Sequence, residues 1–319
     1  MTDWFVINHS ASKQAASDVR LADVAARYYD QHGQHVVSAE RISISLAYWL
    51  DFFGTKTIEE IGNAELQREF HTWLLDKGMK KTSAKRVVSD GRAAINYAWK
   101  RGEIASAPFV MPISTGSNEA APPKGRPLEL KEIVALYSNT KNPNLTMFIT
   151  LMLATAARPD AVLGLTRDRM KVEDRLIVLN PEDRPQTKKY RPTLRMPESI
   201  VPLIESIETE ISPLYLVGLR DTPLKGVRTS WRTARKNAQL DNQVNPYSLR
   251  HTMARWLRKE RVSGWEISAQ LGHKRQDLSI TEIYAPYDPT YLQNAAKAID
   301  SFFAQLRAKS VLVDAMLKR

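Results

Sequence analysis

Asn245-Pro246-Tyr247-Ser248-Leu249-Arg250-His251-Thr252 is the stretch on which the reading of this chain turns. Asn245 reads as a helix N-cap and Pro246 as the first helical residue, so Arg250 lies about one turn into a helix. Three other short stretches carry residues of matching chemistry. Upstream is Ala156-Ala157-Arg158-Pro159-Asp160, where Pro159 opens a helix behind Arg158. Downstream are Leu271-Gly272-His273 and Thr281-Glu282-Ile283-Tyr284. A phosphodiester is anionic, and attack on it adds charge to the non-bridging oxygens. A guanidinium offers a rigid fork of donors and stays charged, so two of them suit that charge. Arg158 follows the uncharged run Leu151–Ala157, which raises the cost of leaving it unpaired. Tyr284 is the candidate nucleophile; its phenol, with a reference pKa of about 10, needs neighbouring cations and a proton acceptor. Tyr287 and Tyr291 are rivals by proximity, set apart by Pro286. Taken singly, each residue has an ordinary reading: a surface ion pair for an arginine, a helix cap for His273, packing for a tyrosine.

In this order the four motifs resemble the tyrosine recombinase (phage integrase) family. The resemblance covers nearly the whole chain. It implies that Arg158 and Arg250 clamp the scissile phosphate and that Tyr284 attacks it. A covalent 3′-phosphotyrosine then conserves the bond energy, so no cofactor, metal or ATP is needed. The family carries a general-acid lysine in a β-hairpin turn, and Lys188 matches that placement, with the adjacent Lys189 left open. His273 would support a phosphate oxygen. Two departures stand out. Tyr247 occupies the position where the family has a histidine, and an imidazole is the better neutral-pH base. Ala161 occupies the position of a buttressing acid, with Asp160 one residue short of it. The interval from His273 to Tyr284, eleven residues, is longer than in many members.

Composition is consistent with a nucleic-acid partner. The 319 residues carry a formal net charge of +11, which favours a polyanion. There are no cysteines, so disulfides, thiolate metal sites and cysteine nucleophiles are excluded. No apolar run approaches the roughly 18 residues of a membrane span. Met1-Thr2-Asp3-Trp4 lacks a secretory pattern, so a cytoplasmic, nucleoid-associated protein is expected.

The expected fold is mainly α with a small β-sheet, in two domains. Apolar stripes at helical spacing predict four helices between Val19 and Arg101, within a DNA-binding domain over 18–105. Thr82 is the expected N-cap of the fourth. Lys80, Lys81, Lys85 and Arg86 cluster at its start as a phosphate-contacting face. Pro108, Pro112, Pro122 and Pro123 mark a linker over 106–126. The catalytic domain follows over 127–319, with helices at 130–138 and 145–154. Strands are expected at 175–179 and 191–196, around the turn that holds Lys188. Arg228, Arg232, Arg235 and Lys236 share one predicted helix and are further candidates for DNA contact. Ser263–Glu266 and Ser279–Glu282 read as capping boxes. The last helix carries an apolar stripe of Leu292, Ala296, Ile299, Phe303 and Leu306. That stripe suits docking either on its own domain or on a neighbouring protomer.

The resemblance implies a site-specific recombinase of a mobile element, acting on duplex DNA at a specific site. A homotetramer on DNA is expected, with accessory DNA-bending proteins as further candidate partners and no membrane. Two alternatives remain open: DNA relaxation in the manner of a type IB topoisomerase, and an inactive DNA-binding regulator, which Tyr247 and Ala161 favour.

Overall fold

The structure is a computed structural model that describes residues 14–114, 124–187, 189–207, 214–219, 222–273, 284, 286–311 and 314–315. The chain divides into two compact units, 1–122 and 123–319.

The first unit is helical. It comprises α1 (Leu21–Gln31), α2 (Ala39–Phe53), the single turn α3 (Ile58–Ile61), α4 (Ala64–Asp76) and α5 (Lys81–Lys100). The predicted stripes face inward, with Leu21, Ile42, Trp49, Phe70, Leu74 and Ile95 almost fully buried. Trp49 is the keystone. Its ring packs on Phe53 and Phe70, and its indole Nε1 donates to the Val87 carbonyl at 2.9 Å. It lies flat over Gly91 of α5, where an added Cβ would sit 2.0 Å from the ring. Beside it, Asp90 accepts from Ser45 at 2.7 Å and pairs with Arg41.

Two expectations change here. Thr82 is not the N-cap of α5. The cap position is Lys80, in extended conformation, and its carbonyl accepts from Ser83 and Ala84 at 2.8 and 3.0 Å. The helix that starts there buries Ala84, Val87 and Val88 on one face. The stretch expected as a linker is partly built into the two units. Val110 and Ile113 are buried in the first core. The buried Gln67 donates to the Phe109 carbonyl at 2.9 Å and accepts from the Met111 amide at 2.6 Å. Prolines bar helix here, so one amide side chain satisfies the extended backbone instead. At the other end, Arg126 belongs to the second unit, donating to Glu132 and Asp241 at 2.6 Å each.

The second unit is built around α7 (Pro143–Thr155), preceded by α6 (Leu130–Ser138). Residues 148–155 of α7 are buried on every side. Its N-terminus is capped by Asn142 and opened by Pro143. After α8 (Pro159–Leu163) comes an antiparallel sheet, β1 (Met170–Lys171), β2 (Leu176–Val178) and β3 (Thr193–Arg195), with Ile177 opposite both Met170 and Leu194. β2 and β3 fall inside the two predicted segments. β1 is too short to announce itself in sequence. The short helix α9 (Val201–Glu205) follows, then the small hairpin β4 (Gly218–Leu219) and β5 (Thr222–Pro223). Helices α10 (Arg228–Asn237), α11 (Pro246–Lys259), α12 (Gly264–Gln270) and α13 (Gln293–Lys309) complete the unit.

The C-terminal helix docks on its own unit. Leu292, Ile299, Phe302, Phe303 and Leu306 join the core, against α6, α11 and α12. Trp256 of α11 donates to the Ala298 carbonyl at 2.7 Å. The expected capping box at α12 is half formed. Ser263 accepts the Glu266 amide at 3.1 Å, but the buried Glu266 carboxylate turns the other way. It accepts from Asn294 at 2.8 Å and from the Ala295 amide at 3.0 Å, so it caps α13. The second expected box, Ser279–Glu282, lies outside the described residues.

Gly91→Ala should destabilise the first unit by about 1–3 kcal/mol, because overpacking against Trp49 outweighs the roughly 1 kcal/mol gain in helix propensity. A thermal melt followed by Trp fluorescence checks this. Deleting the chain after Pro289 should abolish cooperative unfolding of the second unit. Each large apolar side chain lost costs about 2–5 kcal/mol against a total stability of about 5–15 kcal/mol. Near-UV circular dichroism should then lose the contribution of the buried Trp231 and Trp256 and keep that of the first unit.

Candidate active site

The site is assembled at the turn that follows α7. Ala156 takes the left-handed conformation, φ 51°, which a non-glycine residue adopts only at a cost. Two side chains from distant elements hold it. Arg250 of α11 donates through Nη1 to the Ala156 carbonyl at 2.8 Å. Gln270 of α12, almost fully buried, donates to the Thr155 carbonyl at 2.9 Å. The chain then extends into Arg158, the N-cap residue of α8 with Pro159 behind it.

Arg250 is only 8% exposed. Besides Ala156 it donates through Nη2 to the Leu271 carbonyl at 2.8 Å, and its Nη2 lies 2.9 Å from His273 Nε2. Asn245 is the expected N-cap, and with Ser248 it forms a capping box that the sequence did not predict, which fixes the start of α11. Arg158 is half-buried and donates to the Tyr190 carbonyl at 3.0 Å, with Gly272 at the limit of range, 3.5 Å. Neither arginine pairs with a carboxylate among the described residues. Burial, then the charge of Arg158, pulls the Arg250 pKa down to about 10, with Tyr247 acting the other way. It remains charged at neutral pH. Burial, then Arg250 and Arg158, pushes the His273 pKa below its ordinary value, so the imidazole is neutral. A guanidinium has no acceptor, so His273 Nε2 takes the hydrogen bond and Nδ1 carries the proton.

Gly272 makes this approach possible. Its φ is +64°, and an added Cβ would lie 2.7 Å from the Tyr190 carbonyl oxygen and 2.8 Å from Pro192 Cδ. It is the contact that brings the α12 terminus, with Leu271 and His273, against the β2–β3 hairpin and Arg158.

The structure therefore brings Arg158, Arg250 and His273 together. Tyr247, in the first turn of α11, is half-buried beside Arg250. Ala161 is buried, and backbone carbonyls do the buttressing expected of an acid there. Tyr284 is 84% exposed, and no hydrogen bond to a described residue joins its phenol to the arginines. Its rivals are engaged elsewhere: Tyr287 donates to the Thr193 carbonyl at 2.5 Å, and Tyr291 packs on Trp265. Lys188 lies outside the described residues. Lys189 is exposed, its amide bonded to Thr187 Oγ1 at 3.2 Å.

Two sets of cations lie on surfaces. Lys80, Lys81, Lys85 and Arg86 are all exposed at the start of α5. On α10, Arg228, Arg232 and Lys236 are exposed, while Arg235 is half-buried with Nε unpartnered. Arg228, Arg232 and Arg235 line a cleft of about 600 Å³ that reaches Asp160 and Tyr247. Lys124 and Lys225 also line it, and neither belongs to a cationic cluster legible in the sequence. Both precede a glycine, and Gly125, at φ +89°, passes so close to α11 that a Cβ would lie 2.6 Å from Ser248 Oγ. Gln270 and Arg191 were also missed, because a lone polar residue on a helix or beside a strand carries no pattern.

Residues 126–290, slightly more than half the chain, match the Phage integrase family. The chain belongs to that family, and its class is that of the site-specific tyrosine recombinases. Solved structures agree in fold. A lambda integrase dimer bound to a COC′ core site aligns with a TM-score of 0.64 at 16% identity, over 85% of this chain and 78% of that one. The Tn1549 transposon integrase in complex with transposon right end DNA aligns with a TM-score of 0.64 at 16% identity, over 87% and 98%. A lambda integrase tetramer bound to a Holliday junction aligns with a TM-score of 0.63 at 15% identity, over 81% and 78%. No protein with curated annotation matches the sequence.

Imidazole NMR in the free protein should show His273 titrating below the ordinary histidine value of about 6.5. Arg250→Met should raise that midpoint, since it removes the nearer of the two repelling charges. An unchanged midpoint would mean that the Arg250 charge has no part in setting it.

Proposed function

We propose that this chain cuts and rejoins DNA strands at a specific site through a covalent 3′-phosphotyrosine. The observation that carries this reading is the pair formed by the buried Arg250 and the half-buried Arg158, which among the described residues meet backbone carbonyls and the neutral His273 but no carboxylate. Such a pair is costly alone and is stabilised by an incoming anion. In the reaction, Tyr284 Oη gives up its proton, relayed through the Tyr247 hydroxyl to solvent, and forms a bond to phosphorus as the P–O5′ bond breaks. Arg158 and Arg250 hold the non-bridging oxygens, where charge accumulates. Lys188 or its neighbour Lys189 gives a proton to the leaving O5′. His273 turns its Nδ1–H toward the same oxygens. Tyr247 contributes a hydroxyl where an imidazole would otherwise serve. The phosphotyrosine keeps the energy of the broken bond, so rejoining requires neither metal nor ATP.

The cationic faces of α5 and α10 support duplex binding, with affinity that falls steeply with salt. The neighbouring structures are a dimer on a core site and a tetramer on a Holliday junction, and a homotetramer on paired sites is proposed here too. Accessory DNA-bending proteins would complete the assembly, at the nucleoid in the cytoplasm. Among the described residues no helix is long and apolar enough to cross a membrane. The second reading, an inactive DNA-binding regulator, rests on Tyr247 standing in for a histidine.

Covalent capture on fragmented source-genome DNA separates the two. Wild-type protein should yield an adduct that survives denaturation, and Tyr284→Phe should reduce it at least a hundredfold while binding DNA as well as wild type. Tight binding with no adduct from either protein would favour the regulator.

A further inference from the structure

We propose that Arg191 is a third phosphate-binding guanidinium of this site, holding a DNA backbone phosphate beside the one that Arg158 and Arg250 clamp. The inference rests on the DNA-cleaving reading above and adds a residue to it.

Arg191 is placed with care for a residue next to a turn. The Gln186 side chain donates to its carbonyl at 2.9 Å and accepts from its amide at 3.1 Å, which mimics a strand pair. It directly follows Tyr190, whose carbonyl receives Arg158 at 3.0 Å. The two guanidiniums therefore start from neighbouring points. That of Arg191 reaches over α8, where its Nη1 lies 4.0 Å from the position a Cβ on Gly164 would take.

Its partners there are few. Nη2 meets the Asp160 carbonyl at 3.4 Å, long for an N–H···O bond. Among the described residues no carboxylate forms an ion pair with it. Nearby arginines do have other work. Arg184 donates to Asn180 at 2.6 Å and Thr187 at 3.0 Å. The buried Arg169 donates to the Leu179 carbonyl at 3.2 Å and also to that of Gly164. Burial, then the charge of Arg184, lowers the Arg191 pKa; Asp160 opposes this, and Arg169 and Arg158 add to it. Arg184, Arg169 and Arg158 all bear on the charge of Arg191, and the exposed Asp160 is the acid that opposes them there, while Asp168 and Asp183 act on Arg169. A half-buried guanidinium with donors to spare, in a field of like charge, is stabilised most by an anion with several acceptor oxygens. A backbone phosphodiester has that chemistry, and it would lie alongside the scissile one.

The test uses the full chain and a fluorescent mixed-sequence duplex, titrated between about 50 and 200 mM salt. Arg191→Gln keeps a donor for the Asp160 carbonyl but removes the charge; Arg191→Lys keeps the charge; Arg228→Ala is a comparison from the α10 face. A lost phosphate contact should make the slope of log affinity against log salt shallower by about 0.9 in Arg191→Gln. Arg191→Lys should recover most of it, and both variants should melt as wild type does. An unchanged slope in Arg191→Gln, with or without a lower melting temperature, overturns the inference and leaves Arg191 as a brace for α8. If Arg228→Ala flattens the slope while Arg191→Gln does not, DNA binding stands and this inference alone falls. Salt-independent binding by wild type would overturn the DNA-binding reading itself.

Discussion

The guanidinium of Arg250, donating to the carbonyls of Ala156 and Leu271, is the contact on which the second unit's chemistry depends. It ties three elements far apart in sequence: the end of α7, the first half of α11 and the end of α12. It also offsets the left-handed strain at Ala156, which aims the chain into Arg158. A lysine could not do this, since a point charge lacks the two-armed fork that spans both carbonyls. Burial, and then the cation 2.9 Å away, keeps the His273 imidazole neutral, and the contact fixes its tautomer.

The two departures from the family pattern look different once these contacts are in place. An acid at position 161 would lie in a buried setting on α8, next to arginines already supported by backbone carbonyls. Carbonyl oxygens carry partial charge and incur less desolvation cost than a carboxylate, so Ala161 leaves the arginines both oriented and electrostatically hungry. Tyr247 keeps a hydroxyl at the mouth of the site, where it adjoins Arg250 and the cleft beneath α10. Tyr284 stands exposed, and no hydrogen bond to a described residue joins it to the arginines.

Around this centre the protein concentrates cations with few anions to neutralise them. Lys124, Lys225 and the arginines of α10 border one side; Arg184 and Arg191 lie on the hairpin side. Structural arginines are distinguished from these by their partners. Arg126 is held by two carboxylates and Arg169 is spent on backbone carbonyls, so both serve the fold. Those left with donors to spare are the ones available to a polyanion.

The helical periodicity of both units, the N-cap and proline that place Arg250, and the order of Arg158, Arg250, His273 and Tyr284 are all legible in the bare chain. These are local properties: apolar spacing, caps and motif chemistry survive in one dimension. The tertiary structure decided what each polar residue is bonded to. Glu266 shows this, since its position three residues after Ser263 implies a local cap, yet its carboxylate serves Asn294 and Ala295 instead. Thr82, the docking of 106–114 through Gln67, and the burial of the C-terminal stripe in its own unit belong to the same class. So do Gln270, Lys124 and Arg191, none of which carries a pattern. Periodicity reports which face of an element is buried. It does not report which distant carbonyl or carboxylate will lie opposite a given donor, because that depends on how the packed elements meet.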